Sequence, residues 1–168
     1  RSAGASVRRF SHNSALGLAG MNVTLPHKET AYTAMDKVDH MAQRLKAVNT
    51  IVVRCGKLHG ANTDFFGFFE SLLEACPSWR ANTGPAVVLG AGGAARAIVA
   101  GLQDAGAPEI FVINRTTQRA EALADEFGPP IRPVSWENRA VALSSANLLV
   151  NATSLGMRGH PPLDLLLN

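Results

Sequence analysis

In the first half of the chain, hydrophobic and polar positions form short segments with strand-like or helix-like spacing. Alternating apolar and polar side chains predict a strand at residues 20–25, which a proline ends before a few helical turns. A β-branched stretch at 47–54 predicts a second strand, and the turn at Cys55 leads the chain back toward Gly60. Helical spacing at 64–75 predicts a longer helix at the end of this half.

The second half of the chain alternates continuous apolar runs with helical patterns. Short apolar runs bounded by turn residues predict buried strands, and the segments between them predict helices. In chain order we expect a strand at 86–89, a helix to residue 105, a strand at 110–113, a helix at 116–127, a weaker helical stretch and a strand at 146–150. Strands that alternate with helices of this length predict a parallel, doubly wound sheet with right-handed crossovers.

A segment rich in residues that break regular structure, 77–85, separates the two halves. The chain has 168 residues, 46% of them hydrophobic and 17% charged, which suits one compact globular domain or two small lobes. No internal repeat indicates another division. We therefore expect two units of the α/β class, 1–78 and 79–168.

Charge and cysteine usage exclude several classes of function. The net charge is only +3 and the lysines and arginines are scattered, so a small anionic ligand fits better than nucleic acid. We expect no membrane association, because no apolar run is long enough to span a bilayer and the start lacks a secretory signal pattern. Cys55 and Cys76 form no disulfide framework and the histidines show no metal spacing, which predicts a cytoplasmic protein without a metal. Trp79 and Trp136 are interpreted as core or linker packing.

A glycine-rich turn joins the strand at 86–89 to the helix after it. Its sequence has the form G-x-G-x-x-A, a version of the dinucleotide-binding fingerprint. Gly90 permits the tight turn, Gly92 lets the backbone approach a pyrophosphate, and Ala95 allows the helix to pack closely on the strand. The N–H groups and the dipole at the helix N-terminus favour an anion there. The alternative is a tight strand-to-helix connection without a ligand, since glycine-rich turns are common.

The end of the following strand indicates which dinucleotide would bind. NAD-specific sites carry an acidic residue there, whereas this chain has Asn114, Arg115 and Thr116, with Arg119 one helical turn later. Arginines bind a ribose 2′-phosphate through charge-assisted, often bidentate hydrogen bonds, so we expect NADP. The alternative is a solvated helix face on which Arg119 pairs with an acid such as Glu121.

Polar side chains interrupt the apolar pattern of the first unit. They are Thr24, Lys28, Asn49 and Asp64. Taking a hydride from a secondary alcohol requires a base for the hydroxyl proton, and a lysine can act as one with a partner carboxylate that positions it and exchanges protons. Lys28 and Asp64 are such a candidate couple; His27 is a second candidate base but should point elsewhere because it directly precedes Lys28. Considered one at a time, these residues also have ordinary interpretations: Lys28 as a surface lysine, Asn49 as a core amide and Asp64 as a helix cap.

Several segments of the chain, in order, resemble motifs of the shikimate dehydrogenase family. The segment at 20–28 is similar to the family signature N-V-T-x-P-x-K. The others lie at 47–50, 62–64, 90–96, 114–119 and 151–157. Motifs that match in order and spacing are far more specific than a single glycine loop.

The resemblance implies a fold and a reaction. It implies a partial α/β substrate-binding and catalytic lobe at 1–78, followed by a partial doubly wound, Rossmann-like NADP-binding domain at 79–168. The reaction would be the reversible reduction of 3-dehydroshikimate to shikimate by NADPH, in the chorismate route to aromatic amino acids. The leader 1–14 fits poorly, and the family's N-terminal serine motif and last cofactor-domain strands have no counterpart. We therefore expect both domains to be truncated and the chain alone to bind and turn over less.

The resemblance also implies site residues. Lys28 and Asp64 would be the catalytic pair, while Thr24, Asn49 and Asp64 would hold the ring hydroxyls of the small-molecule substrate. NADP would contact residues from each motif of the second unit. These are Gly90, Ala91, Gly92, Gly93, Ala94, Asn114, Arg115, Thr116, Arg119, Asn151, Ala152, Thr153 and Ser154.

Other functions stay open. A quinate or dual quinate/shikimate dehydrogenase would share Lys28 and Asp64, although Arg115 and Arg119 favour NADP and therefore shikimate. A catalytically inactive fragment that binds NADP or a partner protein would show NADP-dependent stabilisation without turnover. A methylenetetrahydrofolate-type dehydrogenase has a similar two-lobed build, but the loop at 62–64 disfavours it. The sequence is compatible with a homodimer and does not specify the oligomeric state.

Overall fold

Residues 18–24, 27–163 and 165 are described by the computed structural model of this chain. The chain separates into two units, the first ending at Ala75 and the second beginning at Cys76. Within the described residues, each unit contains a four-stranded sheet. The functional roles assigned from the sequence to 1–78 and 79–168 remain predictions.

The first unit is built on a mixed sheet. Its elements are β1 (Gly20–Asn22), α1 (Lys28–Tyr32), β2 (Lys37–Val38), α2 (His40–Leu45), β3 (Thr50–Arg54), β4 (Lys57–Ala61) and α3 (Asp64–Ala75). The strands lie in the order β1-β3-β4-β2. Strand β3 pairs antiparallel with β1 and β4, whereas β2 pairs parallel with β4.

A small apolar core joins this sheet to the two short helices. Ala31 of α1 and Ala42 of α2 are fully buried, and they pack with Val48, Ile51 and Leu58 from the strands and the loop before β3. Because side chains alternate along a strand, burial of one face leaves the strand ends free to carry polar groups. Asn49 directly precedes β3 and Thr24 lies two residues after β1, whereas Lys28 and Asp64 begin α1 and α3.

Gly20 lies where β1 approaches β3 too closely for any larger residue. A Cβ at this position would overlap the carbonyl oxygen of Ile51 in the neighbouring strand. We expect Gly20→Ala to disturb this pairing and to lower the free energy of unfolding by about 1–3 kcal/mol, the usual cost of overpacking. Urea denaturation followed by circular dichroism measures the change.

Gly67 in α3 provides the matched control. A Cβ there would meet no atom within 4 Å. Since alanine favours a helix over glycine by about 1 kcal/mol, Gly67→Ala should stabilise the protein. If Gly20→Ala proved as stable as Gly67→Ala, the close approach of β1 to β3 would be refuted.

The second unit contains a parallel sheet with one helix after each of its first three strands. Its elements are β5 (Ala86–Leu89), α4 (Gly93–Asp104), β6 (Ile110–Ile113), α5 (Thr117–Phe127), β7 (Ile131–Val134), α6 (Arg139–Ser144) and β8 (Leu148–Asn151), preceded by a short 3-10 helix at Ala81–Thr83. The strands lie in the order β7-β6-β5-β8, and every pair is parallel. The order reverses between β5 and β8, where open α/β sheets bind ligands beyond the strand carboxyl ends.

Strand β5 forms the centre of this sheet, and all of its residues are buried. The buried residues of α4 include three alanines, Ala95, Ala97 and Ala100, each at most 1% exposed. Small side chains let a helix lie close to the strand that precedes it. Ala95 is fully buried, which agrees with the close helix packing that the fingerprint requires at this position.

The predicted α/β class and the parallel sheet of the second unit are confirmed. The strands at 86–89 and 110–113 and the helix at 64–75 have the predicted bounds. The helical stretch predicted after Pro130 is wrong over its first residues, because Ile131–Val134 forms β7 and only Arg139–Ser144 is helical. Strand β7 pairs with β6 alone, and an edge strand tolerates Pro133 although that residue weakens a strand pattern in the sequence.

The short elements β2 and α2 were not predicted. Strand β2 has two residues and α2 has six, so neither spans enough residues to show a period. Asp39 caps α2 by accepting a hydrogen bond from the Ala42 N–H at 2.6 Å. No helix in the described part of the chain has the length and apolar character needed to cross a membrane.

Candidate functional site

The first unit brings together a lysine, an amide and a carboxylate that lie far apart in the sequence. Lys28 Nζ donates to Asp64 Oδ2 at 2.8 Å, and Asn49 Nδ2 donates to Asp64 Oδ1 at 2.6 Å. Each carboxylate oxygen therefore has its own donor, and one of the two bonds is a charge-assisted ion pair. Such an arrangement fixes the rotation of the carboxylate and the position of the amine.

The three residues are placed by backbone hydrogen bonds between the ends of neighbouring elements. Lys28 begins α1, and its carbonyl accepts from the Val48 N–H at 3.0 Å. Asn49 stands just before β3, where its N–H donates to Ala61 O at 3.0 Å. Asp64 begins α3 after the loop that leaves β4. The site therefore lies at the start of β3 and beyond the end of β4.

Asn62 holds the loop that carries Asp64. Its side chain is only 5% exposed, and Nδ2 donates to Ala47 O at 3.0 Å. Its Oδ1 accepts from the Asp64 N–H at 3.2 Å. Asp64 therefore does not act as a helix cap, since its own carboxylate is turned to Lys28 and Asn49. A buried amide beside a charged pair is the signal that would have revealed this role.

The polar cluster is accessible to a ligand. The side chains of Lys28 and Asp64 are 21% and 32% exposed. Asn49 Oδ1 is already used, because it accepts from the Thr63 N–H at 3.1 Å and from Thr50 Oγ1 at 2.9 Å. What Asn49 can still offer is the second hydrogen of its amide. Lys28 likewise retains donor capacity beyond its bond to Asp64.

Thr24 follows the first strand on the side of Asn49. The Val23 N–H donates to Asn49 O at 2.7 Å, which continues the pairing of β1 with β3 up to Thr24. Thr24 is exposed, and none of the described residues forms a hydrogen bond with its hydroxyl. Thr24 therefore directly follows the residue that is bonded to Asn49, while His27 is exposed at the start of α1.

In the second unit, the glycine turn is packed against the loop that follows β8. Gly90 has φ +107°, and a Cβ there would lie 3.1 Å from both Ala152 O and Thr153 Cγ2. Only glycine fits both the conformation and the contact. At Gly92 and Gly93, by contrast, a Cβ would meet nothing within 4 Å. The N-terminus of α4 thus opens onto free space, as an anion site requires.

The loop after β8 is shaped by its own side chains. Asn151 Oδ1 accepts from Thr153 Oγ1 at 2.6 Å and from the Thr153 N–H at 3.0 Å. Asn151 Nδ2 donates to Leu155 O at 2.9 Å, and the Leu155 N–H donates to Thr153 Oγ1 at 3.0 Å. These bonds use the polar atoms of Asn151 and Thr153 within the loop. Their part in any cofactor site is to hold its shape, whereas Ser154 is exposed.

The end of β6 presents two arginines to solvent. Asn114 Nδ2 donates to Thr116 O at 2.9 Å and thereby shapes the turn into α5. Arg115, Thr116 and Arg119 are exposed, and neither guanidinium forms an ion pair or hydrogen bond with another described residue. The alternative pairing of Arg119 with Glu121 is therefore absent from the described part of the chain.

A cavity of about 420 Å³ lies at the carboxyl ends of these strands. It is lined by Ile113, Asn114, Arg115, Trp136, Thr153, Ser154 and Leu155. Four of the predicted cofactor residues therefore share one cavity, together with a tryptophan that the sequence assigned to packing. Among the described residues, no group of three or more His, Cys, Asp or Glu side chains is placed to hold a metal ion.

Comparison with known protein families identifies two matching segments. Residues 4–51 match the substrate binding domain of shikimate dehydrogenase, and residues 75–156 match shikimate / quinate 5-dehydrogenase. The NADP(+) shikimate dehydrogenase of Paramagnetospirillum magneticum is 54% identical over 151 residues, which cover 89% of this chain and 55% of that protein. The chain spans about half the length of the curated relatives that it matches.

Solved structures show the same likeness. A quinate dehydrogenase from Corynebacterium glutamicum in complex with NAD has a TM-score of 0.84 and 31% identity, covering 94% of this chain and 57% of its own. A shikimate 5-dehydrogenase from Thermus thermophilus in complex with shikimate has a TM-score of 0.75 and 43% identity, covering 96% and 58%.

Proposed function

The chain belongs to the shikimate dehydrogenase family, and from this premise we propose that it contributes the proton-transfer pair and the NADP-binding surface of an enzyme that interconverts 3-dehydroshikimate and shikimate. The observation that carries the proposal is the Asp64 carboxylate held between Lys28 and Asn49. An alcohol dehydrogenase needs a proton donor and acceptor in a fixed position, and this cluster provides one.

Lys28 has the proton-transfer role. When bound, NADPH supplies the hydride for reduction of the carbonyl carbon, and the oxygen must then gain a proton. Lys28 Nζ gives that proton to the substrate oxygen and takes it back when the alcohol is oxidised. Asp64 Oδ2, 2.8 Å from Lys28 Nζ, orients the amine and stabilises its protonated form. Asn49 keeps the carboxylate from rotating away.

Ring hydroxyls are bound by the polar groups around this pair. Thr24 offers an exposed hydroxyl, and Asn49 offers the remaining hydrogen of its amide. Asp64 accepts from a ring hydroxyl with the outer face of its carboxylate, which is partly exposed. A polyhydroxylated ring carboxylate suits a site that combines an ammonium group with several short polar side chains.

The cofactor is NADP. Arg115 and Arg119, both exposed and without an ionic partner among the described residues, suit a ribose 2′-phosphate together with the uncapped N-terminus of α5. The open N-terminus of α4 suits the pyrophosphate. No acidic residue stands at the end of β6, where one would repel the 2′-phosphate. The free, exposed thiols of Cys55 and Cys76 suit the reducing environment of the cytoplasm. The proposed assembly is a homodimer.

The proposal predicts NADPH oxidation that depends on 3-dehydroshikimate. We would measure it with the chain alone and with a chimera in which residues 18–163 replace the matching segment of the Paramagnetospirillum magneticum relative. The chimera should reduce 3-dehydroshikimate with NADPH and oxidise shikimate with NADP. Because the relative itself serves as the positive control, a folded chimera without turnover would overturn the proposal.

A quinate dehydrogenase is the second candidate, favoured by the likeness to the Corynebacterium glutamicum structure. The ratio of kcat/KM for shikimate to that for quinate, each with NADP and NAD, decides between the two. If the chain alone is stabilised by NADP but has no turnover while the chimera is active, the segment binds cofactor but needs its neighbours for catalysis.

A further inference from the structure

Trp136 occupies a position that packing alone does not explain. It follows β7, packs against the core cluster of the second unit, and is one of the residues that line the cavity beside Asn114 and Arg115. An aromatic ring that is half-buried in this way offers a flat apolar surface to a ligand. Its neighbours in the cavity include the apolar side chains of Ile113 and Leu155.

Arg139 holds the indole in place. The guanidinium carbon of Arg139 lies 4.9 Å from the centre of the Trp136 ring, over its face. Arg139 Nη1 also donates to the Trp136 carbonyl at 2.8 Å, so one residue fixes both the backbone and the ring. A ring that is already ordered costs little further entropy when a ligand stacks or packs against it.

The chemistry of the cavity matches a purine attached to a phosphorylated ribose. The base of such a nucleotide is bonded to the carbon next to the one that carries the 2′-phosphate. A base in the cavity therefore brings the 2′-phosphate to the side of Arg115, whose side chain lines the cavity and has no ionic partner among the described residues. Apolar walls at Ile113 and Trp136 and the exposed hydroxyl of Ser154 suit a flat heteroaromatic ring with polar edges.

We infer that Trp136 is a cofactor-positioning residue whose ring forms a wall of the site for the adenine base, with Arg139 holding that ring. This inference rests on the proposed NADP-binding function. It assigns base recognition to the end of β7 and leaves recognition of the 2′-phosphate to the arginines after β6. The two contributions are therefore separable by mutation.

The test uses the 168-residue chain and two nucleotides, 2′,5′-ADP and 5′-AMP. Trp136→Ala should weaken the binding of both by a similar factor, about 5- to 160-fold, because base–aromatic contacts contribute about 1–3 kcal/mol. Trp136→Phe should restore most of the affinity. Arg115→Ala should instead weaken 2′,5′-ADP much more than 5′-AMP. Because phenylalanine would also preserve a role in core packing, the fluorescence titration below separates the two roles.

Tryptophan fluorescence gives a second readout that does not depend on the alanine variant folding. The parent protein should show a change in emission on saturation with 2′,5′-ADP, and Trp136→Phe, which leaves Trp79 as the reporter, should not. Arg139→Ala should lower the affinity in the same direction as Trp136→Ala. If 2′,5′-ADP binds with the same affinity to the parent and to Trp136→Ala, the inference is wrong while the proposed cofactor stands. If neither the parent nor the chimera binds 2′,5′-ADP, the proposed NADP-binding function itself is wrong.

Discussion

Replacing Lys28 with alanine in the active chimera lowers kcat by about 10²- to 10⁴-fold, the usual contribution of a positioned general acid–base group. Its affinity for NADP stays unchanged, because the cofactor residues lie in the other unit. The reason for the loss is that Asp64 keeps its hydrogen bond from Asn49 but no donor remains to protonate the substrate oxygen. Steady-state rates and a fluorescence titration with NADP measure the two quantities.

The control for this experiment is Lys57→Ala, which removes an exposed lysine of the same unit in β4. It should leave kcat unchanged. Asp64→Asn should also reduce kcat, and the double variant with Lys28→Ala should be no slower than the less active of the two single variants, since the pair acts as a unit. Turnover retained in Lys28→Ala would remove Lys28 from the proton-transfer role.

The second large effect is the loss of preference for NADP when Arg115 and Arg119 are both replaced with alanine. Hydrogen bonds to charged groups contribute about 1.5–3 kcal/mol each, and solvent exposure reduces that value, so we expect the NADP dissociation constant to rise about 100-fold. NAD binding should change little, because NAD has no 2′-phosphate for the arginines to bind. The ratio of the two dissociation constants is the measured quantity.

Raising the salt concentration should have a parallel effect. It should weaken NADP binding to the parent more than to the double variant, since mobile ions screen exposed charges. Arg132→Ala is the matched control, because it removes one exposed arginine toward the amino end of β7, where its partner is Glu109 at 3.1 Å. A double variant with parental NADP affinity would show that these arginines only solvate the helix face.

The sequence predicted the second unit more completely than the first. Strands such as β5 and β6 are buried on both faces and therefore appear as continuous apolar runs. The glycine turn between β5 and α4 has a recognisable G-x-G-x-x-A pattern. In the first unit, β2 and α2 are held by packing and by the Asp39 cap, which period analysis does not detect in so few residues.

The sequence predicted residues of the candidate site but not the contacts that place them. Lys28 and Asp64 were proposed as a couple from the chemistry of alcohol oxidation, and the family motifs then added Asn49, because periodicity cannot bring together residues separated by 36 and 15 positions. Trp136 was missed because its place beside Arg115 follows from the adjacency of β7 and β6, and an isolated tryptophan in a weak pattern gives no sign of that adjacency.

The triad of Lys28, Asn49 and Asp64 lies wholly within the first unit, and its hydrogen bonds involve no residue after Ala75. The residues proposed to transfer the proton are therefore encoded in one contiguous stretch of sequence, and the residues proposed to select NADP are encoded in another. Recombination at the boundary would exchange one carrier for another without rebuilding the proton site.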